Sequence, residues 1–156
     1  MRIFKNAKGF TLVEMLIVLA LIGIMLAISV PSIVNQMSHQ RLIRTTRDLF
    51  SEINAARINA ITRNVKYEVD VNGTTFQLKY FNSGTGAWVN EPGHAAVSAQ
   101  AKVNITAPSG AFQVVYNPNG TVSAALICLE NAVTPSDKLS IQFTGSLGKI
   151  SIVSGC

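Results

Sequence analysis

The chain predicts an α+β protein, with one long helix at its front followed by a set of short antiparallel strands. Three observations carry this. An apolar run from Phe10 to Val30 contains a single charge, Glu14; a stripe with helical period continues from Leu42 to Ala60; and from Val65 the period falls to two, with turn-forming residues between the segments. One helix before several strands is the pattern in which a helix buries its apolar stripe on a sheet. The 156 residues suit one domain, since domains take about 100 to 200 residues each. No internal repeat or disordered tract is visible.

Phe10 to Val30 covers 21 residues, about 31 Å as a helix at roughly 1.5 Å per residue, which is enough to cross a bilayer core. An ionised carboxylate at the centre of such a helix costs about 2.5 to 3.5 kcal/mol. Glu14 lies only four residues past Phe10 and costs less, yet a charge kept there implies a partner and a task. The plainer alternative is a secretory signal, with Arg2, Lys5 and Lys8 as its basic flank and Ala27-Ile28-Ser29 as a loose cleavage site. Signal peptides use about 7 to 15 apolar residues and have no use for a carboxylate, so a retained anchor is expected instead.

Beyond the anchor the helix is expected to run on. Leu42, Thr46, Leu49, Ile53, Ala56 and Ala60 recur at alternating steps of four and three, Ile43, Phe50 and Ile61 widen the stripe, and Arg44 and Asp48 fall on the polar side. This predicts a helix from Phe10 to about Arg63, with 10–30 in the membrane and 31–63 as its amphipathic continuation. Gly23 and Pro31 are the breakers within it. Pro31 lacks an amide donor and clashes with the preceding turn, so a kink or a locally unwound stretch is expected at Ser29 to Pro31.

Residues 64–156 read as a β-sheet domain. Val65, Tyr67, Val69 and Val71 alternate with polar residues, Asn72-Gly73 marks a hairpin turn, and Phe76, Leu78 and Tyr80 return. Asn82-Ser83-Gly84-Thr85-Gly86 and Glu91-Pro92-Gly93 read as loops around Trp88, itself expected to be a packing residue. Further strands are expected at Lys102 to Thr106, Ala111 to Tyr116, Thr121 to Leu129, Leu139 to Phe143 and Lys149 to Val153.

The formal charge of +5 invites a nucleic-acid reading until its location is considered. From Phe81 onward Lys102, Lys138 and Lys149 balance Glu91, Glu130 and Asp137, and the basic excess lies in Arg41, Arg44, Arg47, Arg57, Arg63 and Lys66, where it could meet lipid head groups or neighbouring helices. Basic residues flank the apolar run on both sides, so charge asymmetry does not orient it. Catalysis would need a nucleophile with a base, paired carboxylates or a metal site, and none is evident. The two histidines, His39 past the anchor and His94 in a Pro-Gly loop, read as solvated polar residues. No cofactor is expected, and neither cysteine has metal-ligand spacing to another Cys or His.

Lys8-Gly9-Phe10-Thr11-Leu12-Val13-Glu14 followed by an unbroken apolar segment resembles the class III leader junction of type IV pilins and type II secretion pseudopilins. The resemblance implies that residues 1–9 are a leader removed by a prepilin peptidase between Gly9 and Phe10, with N-methylation of the new Phe10 amine. It also implies that Glu14 pairs with the Phe10 ammonium of a neighbouring subunit during assembly. Opposite charges attract strongly in low dielectric and neither is tolerable there alone, so a pair formed only between subunits would set their register. Losing Arg2, Lys5 and Lys8 lowers the formal charge by three, to +2. Related pilin helices carry a proline near the Pro31 position and can melt there in a filament; a simple kink is the alternative.

Cys128 and Cys156 are the only cysteines. In an oxidising periplasm they could form one disulfide, which would place the C-terminus outside the inner membrane; two unpaired thiols are the alternative. Phe112 to Gly120, Leu139 to Phe143 and Gly148-Lys149-Ile150-Ser151-Ile152 are similar to the C-terminal pattern of pseudopilin H and FimT-like minor pilins. Some FimT-like proteins bind DNA through Gly-Arg-x-Arg, to which Gly148-Lys149-Ile150-Ser151 corresponds with Lys for one Arg and Ser for the other. Lys149 alone cannot replace two bidentate phosphate contacts, so nucleic acid is not the expected partner unless Lys102, Lys138 and Lys149 converge. The resemblance implies a minor pilin or pseudopilin of a type II secretion pseudopilus or type IV pilus. Its partners would be other pilin subunits, the peptidase, the inner-membrane assembly platform and the lipid bilayer. DNA uptake and a plain membrane-anchored periplasmic domain are the alternatives.

Overall fold

The structure, a computed structural model, describes residues 10–123, 126–145 and 148–156, with backbone alone for residues 27–35. The leader, Gly9 included, lies outside the described residues. Helix α1, Leu12–Arg63, is a single element of 52 residues. It is unbroken across Pro31, whose side chain falls outside the described set. Asn64 ends it at φ 54°, the left-handed conformation that closes helices and that asparagine tolerates.

Two compact units are distinguished, Met1–Gln36 and Met37–Cys156. Within the described part of the first, the only element is α1. The second joins the rest of α1 to ten strands: β1 Tyr67–Asn72, β2 Thr75–Asn82, β3 Ala87–Asn90, β4 Val97–Ser98, β5 Val103–Ala107, β6 Phe112–Tyr116, β7 Val122–Ser123, β8 Ile127–Asn131, β9 Lys138–Thr144 and β10 Lys149–Ser154. These form two antiparallel sheets where the alternation alone suggests one. The first has the order β3-β2-β1-β6-β7, with β4 also on β2, and the second β10-β9-β8-β5.

The helical stripe is buried as its period requires. Leu42, Thr46, Leu49, Ile53, Ala56 and Ala60 are all fully buried, and the apolar ones form one cluster with Tyr67, Val69, Val71, Phe76, Leu78, Val114 and Tyr116 of the first sheet and Val103, Ile127, Leu129 and Ile141 of the second. Ile43 and Phe50 are half-buried, whereas Ile61, expected to widen the stripe, is exposed. Arg44 and Asp48 are exposed as expected.

The β1–β2 hairpin pairs Asn72 with Thr75, so its two loop residues are Gly73 and Thr74, one place beyond the expected Asn72-Gly73. Gly73 at φ 61° with a following residue at negative φ is the arrangement of a type II′ turn, which needs glycine first. Trp88, expected within loops, lies on β3 and stacks edge-on to Phe81 with centroids 5.4 Å apart. Thr121 to Leu129, expected as one strand, is divided into β7 and β8, which belong to different sheets.

Cys128 and Cys156 form a disulfide, with Cα atoms 5.9 Å apart. It ties the residues after β10 to β8 across β9. Closing a loop of this sequence separation, 28 residues, is worth about 3 to 4 kcal/mol on the chain-entropy account. Two changes test these contacts by thermal unfolding. Reduction of the bridge should lower Tm, and the double change Cys128→Ser with Cys156→Ser should reproduce the loss, about 2 to 5 kcal/mol. Leu49→Ala should cost a similar amount, about 2 to 5 kcal/mol, by opening a cavity between helix and sheets.

Candidate functional site

Phe10 and Glu14 lie at the start of α1. Thr11 caps it: the Glu14 amide donates to Thr11 Oγ1 at 3.2 Å and the Met15 amide to the Thr11 carbonyl at 3.3 Å. Thr11-Leu12-Val13-Glu14 has the Thr-x-x-Glu spacing of a capping box, which places Glu14 in the first turn, where the helix dipole favours a carboxylate. Glu14 therefore sits at the mouth of the apolar helix, exposed, and one turn from Phe10.

The apolar side chains around it are exposed. Leu12, Val13, Met15, Leu16, Ile17, Val18, Leu19, Leu21, Ile22, Ile24, Met25 and Leu26 are 45 to 76% exposed, and these positions occupy every face of the helix. A helix apolar all round requires burial in lipid or among other chains. Phe10 to Leu26 spans about 25 Å at 1.5 Å per residue, short of the roughly 30 Å of a hydrocarbon core. Among the described residues no helix is long and apolar enough to cross a membrane.

In the second unit a set of polar contacts fastens the loops after β3 to α1. Arg63 Nη1 donates to Tyr67 Oη at 2.8 Å and to Glu91 Oε1 at 2.7 Å, and Tyr67 Oη donates to Glu91 Oε2 at 3.0 Å. Burial, then the hydrogen bond to Glu91, pushes the Tyr67 phenol up, and the same carboxylate holds Arg63 above its ordinary value. His94 Nε2 lies 2.9 and 2.8 Å from the two Glu52 oxygens, and His39 Nδ1 lies 3.1 and 2.9 Å from those of Asp137. Both histidines, expected to be solvated, are thus held by carboxylates far away in sequence. Among the described residues no group of three or more His, Cys, Asp or Glu could hold a metal ion.

On the outward face of the first sheet, Glu68 is only 4% exposed. Desolvation raises its carboxyl above the usual range; Lys79, directly across the ladder, opposes this and Asp70 adds to it. Lys79 itself donates to Asp70, which also accepts from Gln113 Nε2 at 3.3 Å.

Lys149 opens β10 and is exposed. The β9–β10 register pairs it with Thr144, six residues from Lys138 along β9, so these lysines stand about 20 Å apart at roughly 3.3 Å per residue. Lys138 pairs instead with Glu130 at 2.8 Å, and Lys102 lies at that same end, its carbonyl accepting from the Ala132 amide. The three lysines do not converge. Gly148 has a packing reason of its own: at φ 59°, a Cβ there would fall 2.8 Å from Tyr116 Cε1 and 2.9 Å from Val122 Cγ1. Its carbonyl accepts from Tyr116 Oη at 3.1 Å, and burial pushes that phenol up to about 12.

Residues 4–30 match the family described as the Prokaryotic N-terminal methylation motif. This type IV pilin-like signal supports a type IV pilin or pseudopilin family, processing by prepilin peptidase, other pilin subunits as partners, and an envelope or pilus location. No solved structure matches the chain.

The Glu68 carboxyl binds its proton more tightly in the folded chain than in the unfolded one, whose value is near 4.5. Its contribution to stability is therefore complete below that value and declines as pH rises through the raised folded value. Glu68→Gln should exceed the parent in Tm at about pH 7 and converge with it at about pH 3.5. Gly148→Ala should destabilise by about 1 to 3 kcal/mol, through its positive φ and its collision with Tyr116, as read by denaturant unfolding.

Proposed function

We propose that this chain is a minor pilin or pseudopilin, a structural subunit of a type II secretion pseudopilus or a type IV pilus. Prepilin peptidase cuts it between Gly9 and Phe10 and methylates the Phe10 amine. The observation that carries this reading is a helix apolar on every face, with one carboxylate in its first turn, inside the segment that matches the methylation motif. Phe10 to Val30, 21 residues whose single charge is Glu14, would make about 31 Å of helix, which supports a single inner-membrane span before assembly. The sheet domain then lies in the periplasm, where a disulfide persists.

In this reading the chain is a substrate of enzymes and not itself one. Glu14 pairs with the cut and methylated Phe10 amine of a neighbouring subunit, and filament or membrane alternately covers the apolar helix. The tail resemblance to pseudopilin H and FimT-like minor pilins favours a role in initiation or at the tip. A lone exposed Lys149 gives DNA no second phosphate contact.

Mass spectrometry of the chain from its native membrane should find a mature N-terminus at N-methylated Phe10. An intact Met1, or a start near Val30, would end the proposal. Glu14→Gln keeps the capping-box residue type and removes only the charge. It should remain membrane-inserted while its incorporation into filaments, read by sedimentation of sheared fractions, falls about tenfold or more, as expected for loss of one charge pair in low dielectric. Normal incorporation would sink the pairing role.

A further inference from the structure

The second sheet has two edges, β5 and β10, and the chain treats them differently. β5 is irregular between Ile105 and Ala107, is preceded by Lys102 at φ 68° and is followed at once by Pro108. Such features spoil an edge as a template for another strand. β10 has neither an irregularity nor a following proline; glycines at positive φ, Gly148 and Gly155, only bound it, and its register with β9 is unbroken from Lys149 to Ser154. The edges of the first sheet are shorter, four residues in β3 and two in β7.

The phase of the ladder says which groups β10 leaves open. Gly155 N–H donates to the Lys138 carbonyl at 2.9 Å, so Gly155, Val153 and Ser151 occupy the hydrogen-bonded pairs with β9. The amides and carbonyls of Ile150, Ile152 and Ser154 therefore point to the free edge. Among the described residues no strand takes them up. On the core face Ile152 lies opposite Ile141; Ile141 is fully buried but Ile152 is 39% exposed, so the apolar layer reaches the edge and stops there uncovered.

We propose that this edge pairs antiparallel with β10 of a second copy of the chain, about a twofold axis at Ser151. Charge chooses the direction. Lys149 is the only charged residue in the strand; parallel pairing would set two lysines side by side at about 4.8 Å, whereas the antiparallel pair puts Lys149 opposite Val153 and separates the two lysines by about 14 Å, beyond a Debye length of about 8 Å. Backbone phase admits only registers that oppose Ile150, Ile152 and Ser154 to the same set, and among these the axis at Ser151 makes the most apolar contact. Ile150 meets Ile152 of the partner subunit and Ile152 meets Ile150 of the partner subunit, each pair exchanging main-chain hydrogen bonds and closing apolar contact on the core face. The strand is already ordered by β9 and the nearby disulfide, so pairing immobilises little further chain. One patch serves both partners, as a twofold contact requires.

The test uses the full-length chain in its native membrane, treated with a mild oxidant and run on non-reducing gels. In the pair, Ser151 faces its own counterpart at a Cα separation of about 4.5 Å, within disulfide reach, while the Val153 positions lie about 14 Å apart. Ser151→Cys should give a reducible dimer at about ten times the yield of Val153→Cys or more, given the reach of a disulfide. Peptide mapping of the dimer should show Cys128 still joined to Cys156. Equal yields from the two variants, no cross-link from Ser151→Cys, or a cross-link only to a different protein would each overturn the proposal.

Discussion

Burial of one helical stripe between two sheets is the constraint on which the rest of the second unit depends. Leu42, Leu49, Ile53, Ala56 and Ala60 contribute to a cluster that draws on both sheets, so neither sheet completes its core without the helix. Each large side chain in such a stripe is worth about 1.5 to 3 kcal/mol. The stripe also accommodates two threonines. Thr46 Oγ1 donates to the Leu42 carbonyl at 2.8 Å and Thr45 Oγ1 accepts from the Gln100 amide at 2.9 Å, so neither buried hydroxyl lacks a partner.

The polar groups around this core differ in how they are accommodated. Glu91 is buried but accepts from both Arg63 and Tyr67, and Glu52 is buried against His94, so each carboxylate keeps a donor close by. Glu68 is buried to a similar degree on the outward face, where Lys79 across the ladder is engaged with Asp70. Desolvation then prevails, and the carboxyl resists ionisation.

What the sequence made legible follows from periodicity. The positions of the stripe and the end of the helix at Arg63 are read from spacing because one side of the helix is buried from Leu42 to Ala60. Trp88 was harder to place: β3 has only four residues between two turn-rich segments, and its pairing with β2 depends on contacts with Phe81 and Lys79 that local pattern does not carry. The histidines could not be read at all, since Glu52 is 42 residues from His94 and Asp137 is 98 from His39. Thr11 is the opposite case. Its Thr-x-x-Glu spacing is a local signal, hidden when Glu14 is seen only as a charge in an apolar run. At the other end, Gly148 shows why a motif resemblance needs a structure, because packing against Tyr116 and Val122 already accounts for the glycine.

Three of the polar contacts on α1 occur in reverse chain order: Arg63 with Glu91, Glu52 with His94, and Thr45 with the Gln100 amide. They span about 27 Å of helix at 1.5 Å per residue. A force along the helix axis would therefore load them together, in shear, and sliding the helix against its loop by one turn would have to break all three at once. Peeling from either end would break them singly. The geometry makes the domain stiff towards axial tension and compliant towards lateral detachment.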